Sequence, residues 1–352
     1  MAAKKILITG HNGYIGPLLV NLLQEKGYEI IGVDVNYFDD SCEFFPKGLK
    51  PFTQIIKDVR DIDTPDLEDV YAIAYLAAIS NDPMGELNPK ITEDINYNAA
   101  VRLARKAKSV GVKKFIYMSS CSLYGIAGDD ALDETAEFNP VTAYAKSKVA
   151  AELELKPLAD TSFCVTFLRN ATAFGNSPKL RTDLVVNNLV GWAVTKGQIK
   201  IMSDGSPWRP LVHAEDISRA VIAMIETDAA IINGEAFNIG QNTENFRIKD
   251  IAEMVSQVVP NCDVVFTGEH GADSRTYRVN FDKVTRMVPN FTPKWTVRAG
   301  IEELYDAYKK QGLTFDDFSG KRFVRLKQLD YLKAENIVDE DLYFVKREPL
   351  IK

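Results

Sequence analysis

From residue 4 to about residue 170, short apolar runs alternate with longer segments of helical spacing, and this alternation restricts the possible folds more than any other feature. The longer segments at 14–25, 92–109 and 141–157 place apolar residues at steps of three and four, as amphipathic helices do. Strands alternating with such helices form a parallel sheet covered on both faces, so the sequence predicts an α/β, doubly wound parallel fold. The strands are expected at residues 5–9, 29–34, 54–57, 72–77, 114–118 and 163–168.

After Gly175 the rhythm changes, which indicates a second, smaller lobe. A helical stretch at 182–195 is followed by segments containing Pro and Gly near 205–210 and 268–271. Residues 214–225 and 235–239 again have the pattern of a helix followed by a strand. We therefore expect an α/β substrate-binding lobe whose sequence interleaves with the sheet domain.

This interpretation predicts a division of the chain into three parts. The sheet domain takes 1–175 and also receives about 211–240, and the smaller lobe takes 176–210 and 241–312. Residues 313–352 form a C-terminal helical extension, because apolar residues recur there at helical spacing. These apolar residues are Phe323, Leu326, Leu329 and Leu332.

Composition excludes several classes of function. With 42 Lys+Arg against 49 Asp+Glu, a net charge of −7 leaves no basic surplus for nucleic acid or an anionic membrane surface. Four cysteines and three histidines are scattered without metal-ligand spacing, so no metal site is expected and the thiols are expected to be reduced. The amino terminus lacks a signal-peptide pattern, and no apolar run reaches the ~20 residues that span a bilayer. We expect a cytoplasmic protein.

A glycine-rich turn joins the first predicted strand to the first predicted helix. Residues 9–16 read Thr-Gly-His-Asn-Gly-Tyr-Ile-Gly, which places glycine at Gly10, Gly13 and Gly16. Without Cβ atoms, such a turn lets backbone N–H groups, including those of Tyr14 and Ile15, approach a pyrophosphate at the helix N-terminus. The GxxGxxG spacing departs from the GxGxxG dinucleotide fingerprint, and a purely structural turn is the alternative.

Asp34 ends the second predicted strand, about 20 residues beyond the turn, where a carboxylate binds the ribose hydroxyls of a dinucleotide. The same carboxylate repels a 2′-phosphate, and no Lys or Arg follows it before Lys47. The turn and Asp34 together predict a Rossmann-type domain that binds NAD and not NADP. The alternative is that Asp34 only caps a loop.

Two further strand ends offer groups to the same cofactor. Asp58 and the backbone of Val59 follow the third strand and are suited to hydrogen-bonding an adenine edge. The run Leu76, Ala77 and Ala78 follows the fourth strand and supplies small side chains where the backbone must pass close to a ligand. The alternative for the first segment is a loop with charges, and for the second a tight turn from sheet to loop, so both assignments depend on the turn and on Asp34.

Tyr144 and Lys148 are four residues apart in a predicted helix and therefore share one face. A lysine ammonium beside a phenol stabilises the phenolate, which would make Tyr144 a usable base near neutral pH. Ser120 lies just after the fifth strand, at the carboxyl edge where open α/β sheets bind ligands, and its hydroxyl can share a substrate oxygen with Tyr144. These three residues are the predicted catalytic group.

Together these motifs resemble the extended short-chain dehydrogenase/reductase family, in its branch of nucleotide-sugar epimerases and dehydratases. The resemblance covers about residues 4–310 and includes a segment at 203–213 similar to the family's DGxxxRDFVH element and one at 273–278 similar to DxRxY. In both elements the family's arginine binds the substrate diphosphate, a role that the resemblance implies for Arg209 and Arg275. It also implies that Lys148 holds the nicotinamide ribose.

The sequence also departs from the family's patterns. The 4,6-dehydratases follow their active-site Ser or Thr with an Asp-Glu pair, whereas Cys121 and Ser122 follow Ser120 here, which disfavours dehydration. Thr172 stands where 4-epimerases usually carry a phosphate-binding Asn. Residues 176–184 resemble a branch that includes nucleotide-heptose 4-dehydrogenases, in which Arg181 would contact the sugar or the diphosphate. Ser122, Thr172 and Arg181 are thus predicted substrate-binding residues.

The resemblance implies an NAD-dependent enzyme that oxidises the C4 hydroxyl of a nucleotide-diphosphate sugar. Return of the hydride to the other face of the ketone would make it a 4-epimerase, and release of the keto sugar a 4-dehydrogenase. An NDP-keto-sugar reductase and a non-catalytic NAD-sensing protein on the same fold are the alternatives. The helices at 92–109 and 141–157 resemble those that pair in the family's dimers, which implies a homodimer.

Overall fold

The computed structural model describes residues 3–80, 82–201, 203–266 and 275–345. The strands are β1 Lys5–Thr9, β2 Glu29–Asp34, β3 Thr53–Ile56, β4 Val70–Tyr75, β5 Lys114–Ser120, β6 Ile126–Leu132, β7 Cys164–Asn170, β8 Thr172–Phe174, β9 Gln198–Ile201, β10 Trp208–His213, β11 Ala236–Ile239, β12 Asn245–Arg247, β13 Asp263–Phe266 and β14 Thr276–Val279. The helices are α1 Gly16–Glu25, α2 Asp82–Leu87, α3 Pro89–Glu93, α4 Ala99–Ser109, α5 Ala143–Leu155, α6 Val185–Lys196, α7 Ala214–Glu226, α8 Ala229–Ile232, α9 Ile248–Val258, α10 Asp282–Met287, α11 Val297–Gln311, α12 Phe315–Ser319 and α13 Arg325–Ala334.

In the described part of the chain, the main sheet has seven strands in the order β11-β7-β5-β4-β1-β2-β3, and all neighbours are parallel. From β1 the chain winds to β2 and β3 on one side and then crosses to β4, β5 and β7 on the other. The crevice between the carboxyl ends of β1 and β4 is therefore a topological switch point, where such sheets bind ligands. This arrangement confirms the predicted doubly wound α/β fold.

Each face of the sheet carries its own apolar core, because the strands are buried on both sides. One core packs the strands against α1 and α7, with Leu19 and Val221 fully buried. The other packs them against α4 and α5, with Ala104 and Leu155 fully buried. The carboxyl edge of the sheet is left to the loops that form the site.

The predicted helix at 92–109 is interrupted. Its first part belongs to α3, and a π-helical turn at Asp94–Asn98 precedes α4. In this wider turn the carbonyls of Ile95 and Asn96 accept hydrogen bonds from the hydroxyls of Tyr75 (2.7 Å) and Tyr117 (2.8 Å). The two buried phenols need hydrogen-bond acceptors, and the π-helical turn supplies them. The spacing of apolar residues alone does not reveal this interruption of the helix.

The smaller lobe has a separate core formed mainly by α6, α9 and α11. Strand β10 pairs with β8 and β12, β13 pairs with β9, and β14 pairs with β6. Between these elements the chain returns to the sheet domain, since α7 packs on α1 and β11 pairs with β7. The proposed domain limits remain a division made from the sequence.

The C-terminal extension is shared between two cores. Phe318, in α12, and Phe323 join the core of the smaller lobe. Leu329 of α13 instead packs with Tyr37 and Ile79, which lie in the loops after β2 and β4. The extension therefore reaches the carboxyl edge of the main sheet. Residues 346–352 of the predicted extension lie outside the described residues.

Candidate active site

A cavity of about 950 Å³ opens at the carboxyl edge of the main sheet, beside the smaller lobe. Every residue that the sequence singled out for catalysis or binding lines this one cavity. The set is Gly10, Gly13, Tyr14, Ile15, Gly16, Asp34, Asp58, Val59, Leu76, Ala77, Ala78, Ser120, Ser122, Tyr144, Lys148, Thr172, Arg181, Arg209 and Arg275. Asp273 and Ser274, which begin the DxRxY-like segment, lie outside the described residues.

The glycine turn is tight enough to exclude side chains at two positions. Gly10 has φ +74°, and a Cβ there would lie 2.9 Å from the backbone nitrogen of Ala77. A Cβ on Gly16 would lie 2.2 Å from the carbonyl oxygen of His11. Helix α1 begins at Gly16, so the turn presents a helix N-terminus to the cavity. This fits the pyrophosphate of NAD, which needs backbone N–H groups at close range.

The carboxylate of Asp34 is held by the backbone of two neighbouring loops. Its Oδ2 accepts from the backbone N–H of Asn12 at 2.9 Å, and its Oδ1 accepts from that of Asn36 at 2.7 Å. The side chain is half-buried and lines the cavity, so its remaining lone pairs can receive ligand hydroxyls. A fixed acceptor at the end of β2 fits the adenosine ribose of NAD.

Asp58 is anchored by a residue that the sequence analysis did not single out. Both of its carboxylate oxygens accept from the Arg60 guanidinium, at 2.9 Å from Nε and 2.8 Å from Nη2. This bidentate pair fixes the loop that carries Val59 against the cavity. After β4, the backbone N–H of Ala77 donates to the Thr9 hydroxyl at 3.2 Å, which ties the predicted small-residue run to the glycine turn.

Tyr144 lies in the first turn of α5, whose N-terminus is capped by the Thr142 hydroxyl. Lys148 follows one turn later, and its Nζ lies 5.6 Å from the centre of the Tyr144 ring. That Nζ donates to the carbonyl of Met118 at 2.7 Å and is almost wholly buried. Burial lowers the pKa of Lys148 to about 7, and the carboxylate of Glu152 acts against this shift. Both the charged and the neutral form of Lys148 are therefore populated at neutral pH.

Ser120 ends β5 and faces the cavity. Its hydroxyl oxygen accepts from the backbone N–H of Ser122 at 3.1 Å, which leaves the hydroxyl proton available to a ligand. The Ser122 hydroxyl is buried and has no hydrogen-bond partner within the described residues. Buried hydroxyls are rarely unpaired, and Ser122 lines the cavity, so its hydroxyl is suited to bond a ligand there.

A buried ion pair that sequence reasoning missed lies beneath Lys148. The Arg169 guanidinium donates to Glu152 at 2.7 Å from Nη2 and 3.1 Å from Nε. The hydroxyl of Ser119, next to Ser120, donates to the same carboxylate at 2.5 Å. This network ties α5 to β5 and β7 and so fixes Lys148 relative to Ser120. The spacing of Lys148 and Glu152, four residues apart in α5, was a signal that could have placed Glu152 here.

The smaller lobe contributes three of the predicted substrate-binding residues, Arg181, Arg209 and Arg275. The guanidinium of Arg181 pairs with the Asp183 carboxylate at 2.7 Å and also donates to the Ser80 hydroxyl at 2.9 Å. The Arg209 guanidinium donates to the backbone carbonyl of Arg275, so the two arginines lie together. Thr172 begins β8. The ion pair of Arg181 with Asp183 was not predicted, and it sets the orientation of Arg181 within the cavity.

Further cavity residues lie outside the catalytic and binding motifs of the sequence. Tyr37 and Phe38 come from the loop after β2, Glu86 from α2, and Arg325 and Leu329 from α13. In the described ranges no group of His, Cys, Asp or Glu side chains could hold a metal ion. No helix in the same ranges has the length and apolar character needed to cross a membrane.

Comparison with known proteins gives a family for this architecture. The family model described as "NAD dependent epimerase/dehydratase family" matches residues 6–240. UDP-glucuronic acid decarboxylase 1 of Arabidopsis thaliana is 25% identical over 324 residues, covering 90% of this chain and 72% of that protein. UDP-glucuronate 4-epimerase of Thermodesulfobacterium geofontis is 23% identical over 312 residues, covering 84% of this chain and 93% of that protein.

Solved structures agree in fold. UDP-N-acetylglucosamine 4-epimerase from Methanobrevibacter ruminantium, in complex with UDP-N-acetylmuramic acid, superposes with a TM-score of 0.77 at 22% identity, over 88% of this chain and 100% of that chain. UDP-glucuronic acid 4-epimerase from Bacillus cereus, in complex with UDP-glucuronic acid and NAD, gives a TM-score of 0.74 at 24% identity, over 87% and 99%. At these identities the likeness shows the fold.

Proposed function

The chain belongs to the NAD-dependent epimerase/dehydratase family, and on that premise we propose that it is a nucleotide-sugar 4-epimerase. The main support for the proposal is that Tyr144, Lys148 and Ser120 line the same cavity as the glycine turn and Asp34. A base beside a cofactor site is what alcohol oxidation requires. NAD, when bound, supplies the hydride acceptor and donor.

Tyr144 is the proposed base. Its phenolate takes the proton of the sugar C4 hydroxyl during oxidation, and its phenol returns a proton to the C4 oxygen when the ketone is reduced from the other face. Lys148 in its charged form favours the phenolate by electrostatic attraction. The Ser120 hydroxyl donates a hydrogen bond to the same substrate oxygen and thus orients C4 toward the cofactor.

The smaller lobe is the proposed holder of the nucleotide diphosphate. Arg209 and Arg275 supply guanidinium groups on one wall of the cavity, and guanidinium groups bind phosphate oxygens in bidentate fashion. Thr172, Ser122 and Arg181 then remain for the sugar. Solved relatives in complex with UDP-glucose and UDP-glucuronic acid support a nucleotide-linked sugar as the substrate class.

The residues after Ser120 support epimerisation over elimination. The Cys121 thiol is fully buried and donates to the carbonyl of Arg169 at 3.1 Å. Burial raises the pKa of this thiol well above its usual value, and Cys121 is not among the residues that line the cavity. Ser122 offers only a hydroxyl. A dehydratase would need a titratable group at this point in the cavity.

The test is turnover of UDP-glucose, UDP-glucuronic acid and UDP-N-acetylglucosamine by the purified chain, with products identified by NMR. We expect a C4 epimer from at least one of them, and a loss of about 100- to 10,000-fold in Tyr144→Phe. Tyr305→Phe is the matched control, because Tyr305 is also half-buried but lies on α11, outside the residues that line the cavity.

Other outcomes would assign a different reaction. Absorbance at 340 nm that rises with each turnover would indicate a 4-dehydrogenase, and activity only with a keto sugar would indicate a reductase. A pentose or deoxysugar product would indicate decarboxylation or dehydration. Full activity of Tyr144→Phe would show that Tyr144 is not the catalytic base.

Two other predictions remain proposals with their own tests. A homodimer through α4 and α5 is supported by Leu153, which is 61% exposed on α5, and is tested by light scattering of the purified chain. A cytoplasmic location is supported by four cysteines that form no disulfide, and is tested by fractionation of the source cells.

A further inference from the structure

The C-terminal segment, residues 325–345, lies across the loops that follow β2 and β3. The side-chain amide of Gln328 donates to the carbonyl of Tyr37 at 3.1 Å, and the Tyr37 hydroxyl donates to the carbonyl of Leu342 at 2.5 Å. The Arg60 guanidinium donates to the carbonyl of Asp341 at 2.8 Å. These loops follow directly on Asp34 and Asp58, so the segment covers the side of the cavity assigned to adenosine.

Arg325 is the charged residue that this segment brings to the cavity wall. Its side chain is 3% exposed, and it is one of the residues that line the cavity. Its Nη2 donates to the carbonyl of Lys179 at 2.8 Å, and its guanidinium lies 4.0 Å from the centre of the Phe38 ring. Its Nη1 is buried and has no hydrogen-bond partner within the described residues.

An unpaired guanidinium nitrogen in the interior is unfavourable, because burial removes water without replacing it. Burial, followed by the positive charge of Arg181, lowers the pKa of Arg325 to about 10, while Cys42, Asp183 and Asp34 act against this shift. The group nevertheless stays charged at neutral pH. A buried permanent cation at the wall of a binding cavity calls for an anion from outside the chain.

The position of Arg325 identifies that anion. Its guanidinium packs on Phe38, in the loop that follows Asp34, and its Nη2 donates to the carbonyl of Lys179, two residues before Arg181. Asp34 marks the adenosine ribose, and Arg181 lies on the wall of the cavity assigned to the sugar. Arg325 thus lies between these two parts of the cavity, where the diphosphate bridge of a dinucleotide would run.

We propose that Arg325, carried by α13, binds the diphosphate bridge of NAD through its Nη1. The glycine turn faces this bridge with the partial charges of backbone N–H groups, whereas Arg325 adds a full charge from another wall. A residue near the carboxyl terminus would therefore complete the cofactor site. The inference depends on the family's cofactor alone, so a failure of the epimerase proposal would leave it intact.

The experiment measures binding to the full chain, freed of nucleotide, by isothermal titration calorimetry. The probes are NAD, ADP, adenosine, UDP and 2′,5′-ADP, and the variant is Arg325→Gln. We expect NAD and ADP to bind about 10- to 100-fold more weakly, with unchanged affinity for adenosine and UDP. Lys327→Gln is the matched control, because it removes the same charge from the exposed face of α13 and should change none of these affinities.

Each alternative has its own outcome, and each would overturn the proposal. Equal weakening of adenosine and ADP would mean that Arg325 only supports the fold. Weakening of UDP instead of ADP would assign it to the substrate diphosphate, and weakening confined to 2′,5′-ADP would assign it to a 2′-phosphate. If Arg325→Gln does not fold, Arg325→Lys serves instead, and unchanged NAD and ADP affinity in that variant together with a tenfold loss for UDP would equally refute the assignment.

Discussion

Helices α5 and α13 each place one buried cation in the same cavity, and the two cations differ in kind. Lys148 donates to the carbonyl of Met118, and Arg325 donates to the carbonyl of Lys179. Burial lowers the pKa of the lysine to about 7 and that of the arginine to about 10. At neutral pH the lysine can therefore gain or lose its charge, while the arginine keeps it.

The difference matches what each site has to do. Tyr144 loses and regains a proton in the proposed reaction. A neighbouring ammonium that can also change its protonation state near neutral pH, as Lys148 can, suits that role. A group that holds a permanently charged diphosphate needs a constant charge and a planar set of donors. Burial alone therefore does not define a cation's role, because the same desolvation cost acts on two chemically different groups.

The largest effect is expected from removing the cation on α5. Lys148→Met should lower turnover by about 100- to 10,000-fold, because the phenolate of Tyr144 loses its stabilising charge. Steady-state kinetics on whichever of the three UDP-sugars the chain turns over would measure it. Lys146→Met, an exposed lysine on the same helix, is the control and should retain activity. Equal losses in both variants would contradict a specific role for Lys148.

Breaking the ion pair beneath Lys148 should have the next largest effect. Glu152→Gln leaves the buried guanidinium of Arg169 without its counter-ion, and we expect a loss of about 3–5 kcal/mol in the free energy of unfolding. Glu154→Gln is the matched control, because its ion pair with Arg105 is at the surface, and it should cost less than about 1 kcal/mol. Urea unfolding measures both free energies. Similar losses in the two variants would mean that the buried ion pair contributes no more to stability than the surface pair.

The lowered pKa of Lys148 predicts how stability depends on pH. Its folded-state pKa lies below the unfolded value, so between about pH 7 and pH 10 the unfolded chain binds more protons and the free energy of unfolding rises with pH. The wild type should gain about 2 kcal/mol more than Lys148→Met between pH 7 and pH 9, in the absence of cofactor. Equal slopes in the two proteins would show that the lysine is not shifted.

The smallest effect should come from exchanging the type of cation on α13. Arg325→Lys keeps a charge but loses the planar donors, so NAD should bind about tenfold more weakly at pH 7. Burial would also lower the pKa of the new lysine, and the loss should grow toward pH 9, whereas wild-type affinity should change little because the pKa of Arg325 is about 10. Calorimetry at both pH values tests this. If Arg325→Lys bound NAD with unchanged, pH-independent affinity, the type of cation on α13 would not matter, and the proposed difference between Lys148 and Arg325 would be wrong.

Much of the site followed from the sequence because its motifs are local. Gly10, Gly13 and Gly16 lie within one turn, Asp34 ends the next strand, and Tyr144 and Lys148 are one helical turn apart. Backbone geometry converts such spacings directly into proximity. The parallel sheet likewise followed from alternating periodicities, and the structure confirms it.

What the sequence by itself determined was therefore the fold class, the family and the residue types at the strand ends. Only the tertiary structure decided which distant groups complete the site, such as Ser80 on Arg181 and Arg169 on Glu152. Arg325 is a further case, since it meets Lys179 across 146 positions of the chain. Contacts of that kind depend on how whole elements pack, and no spacing or periodicity within a single element carries that information.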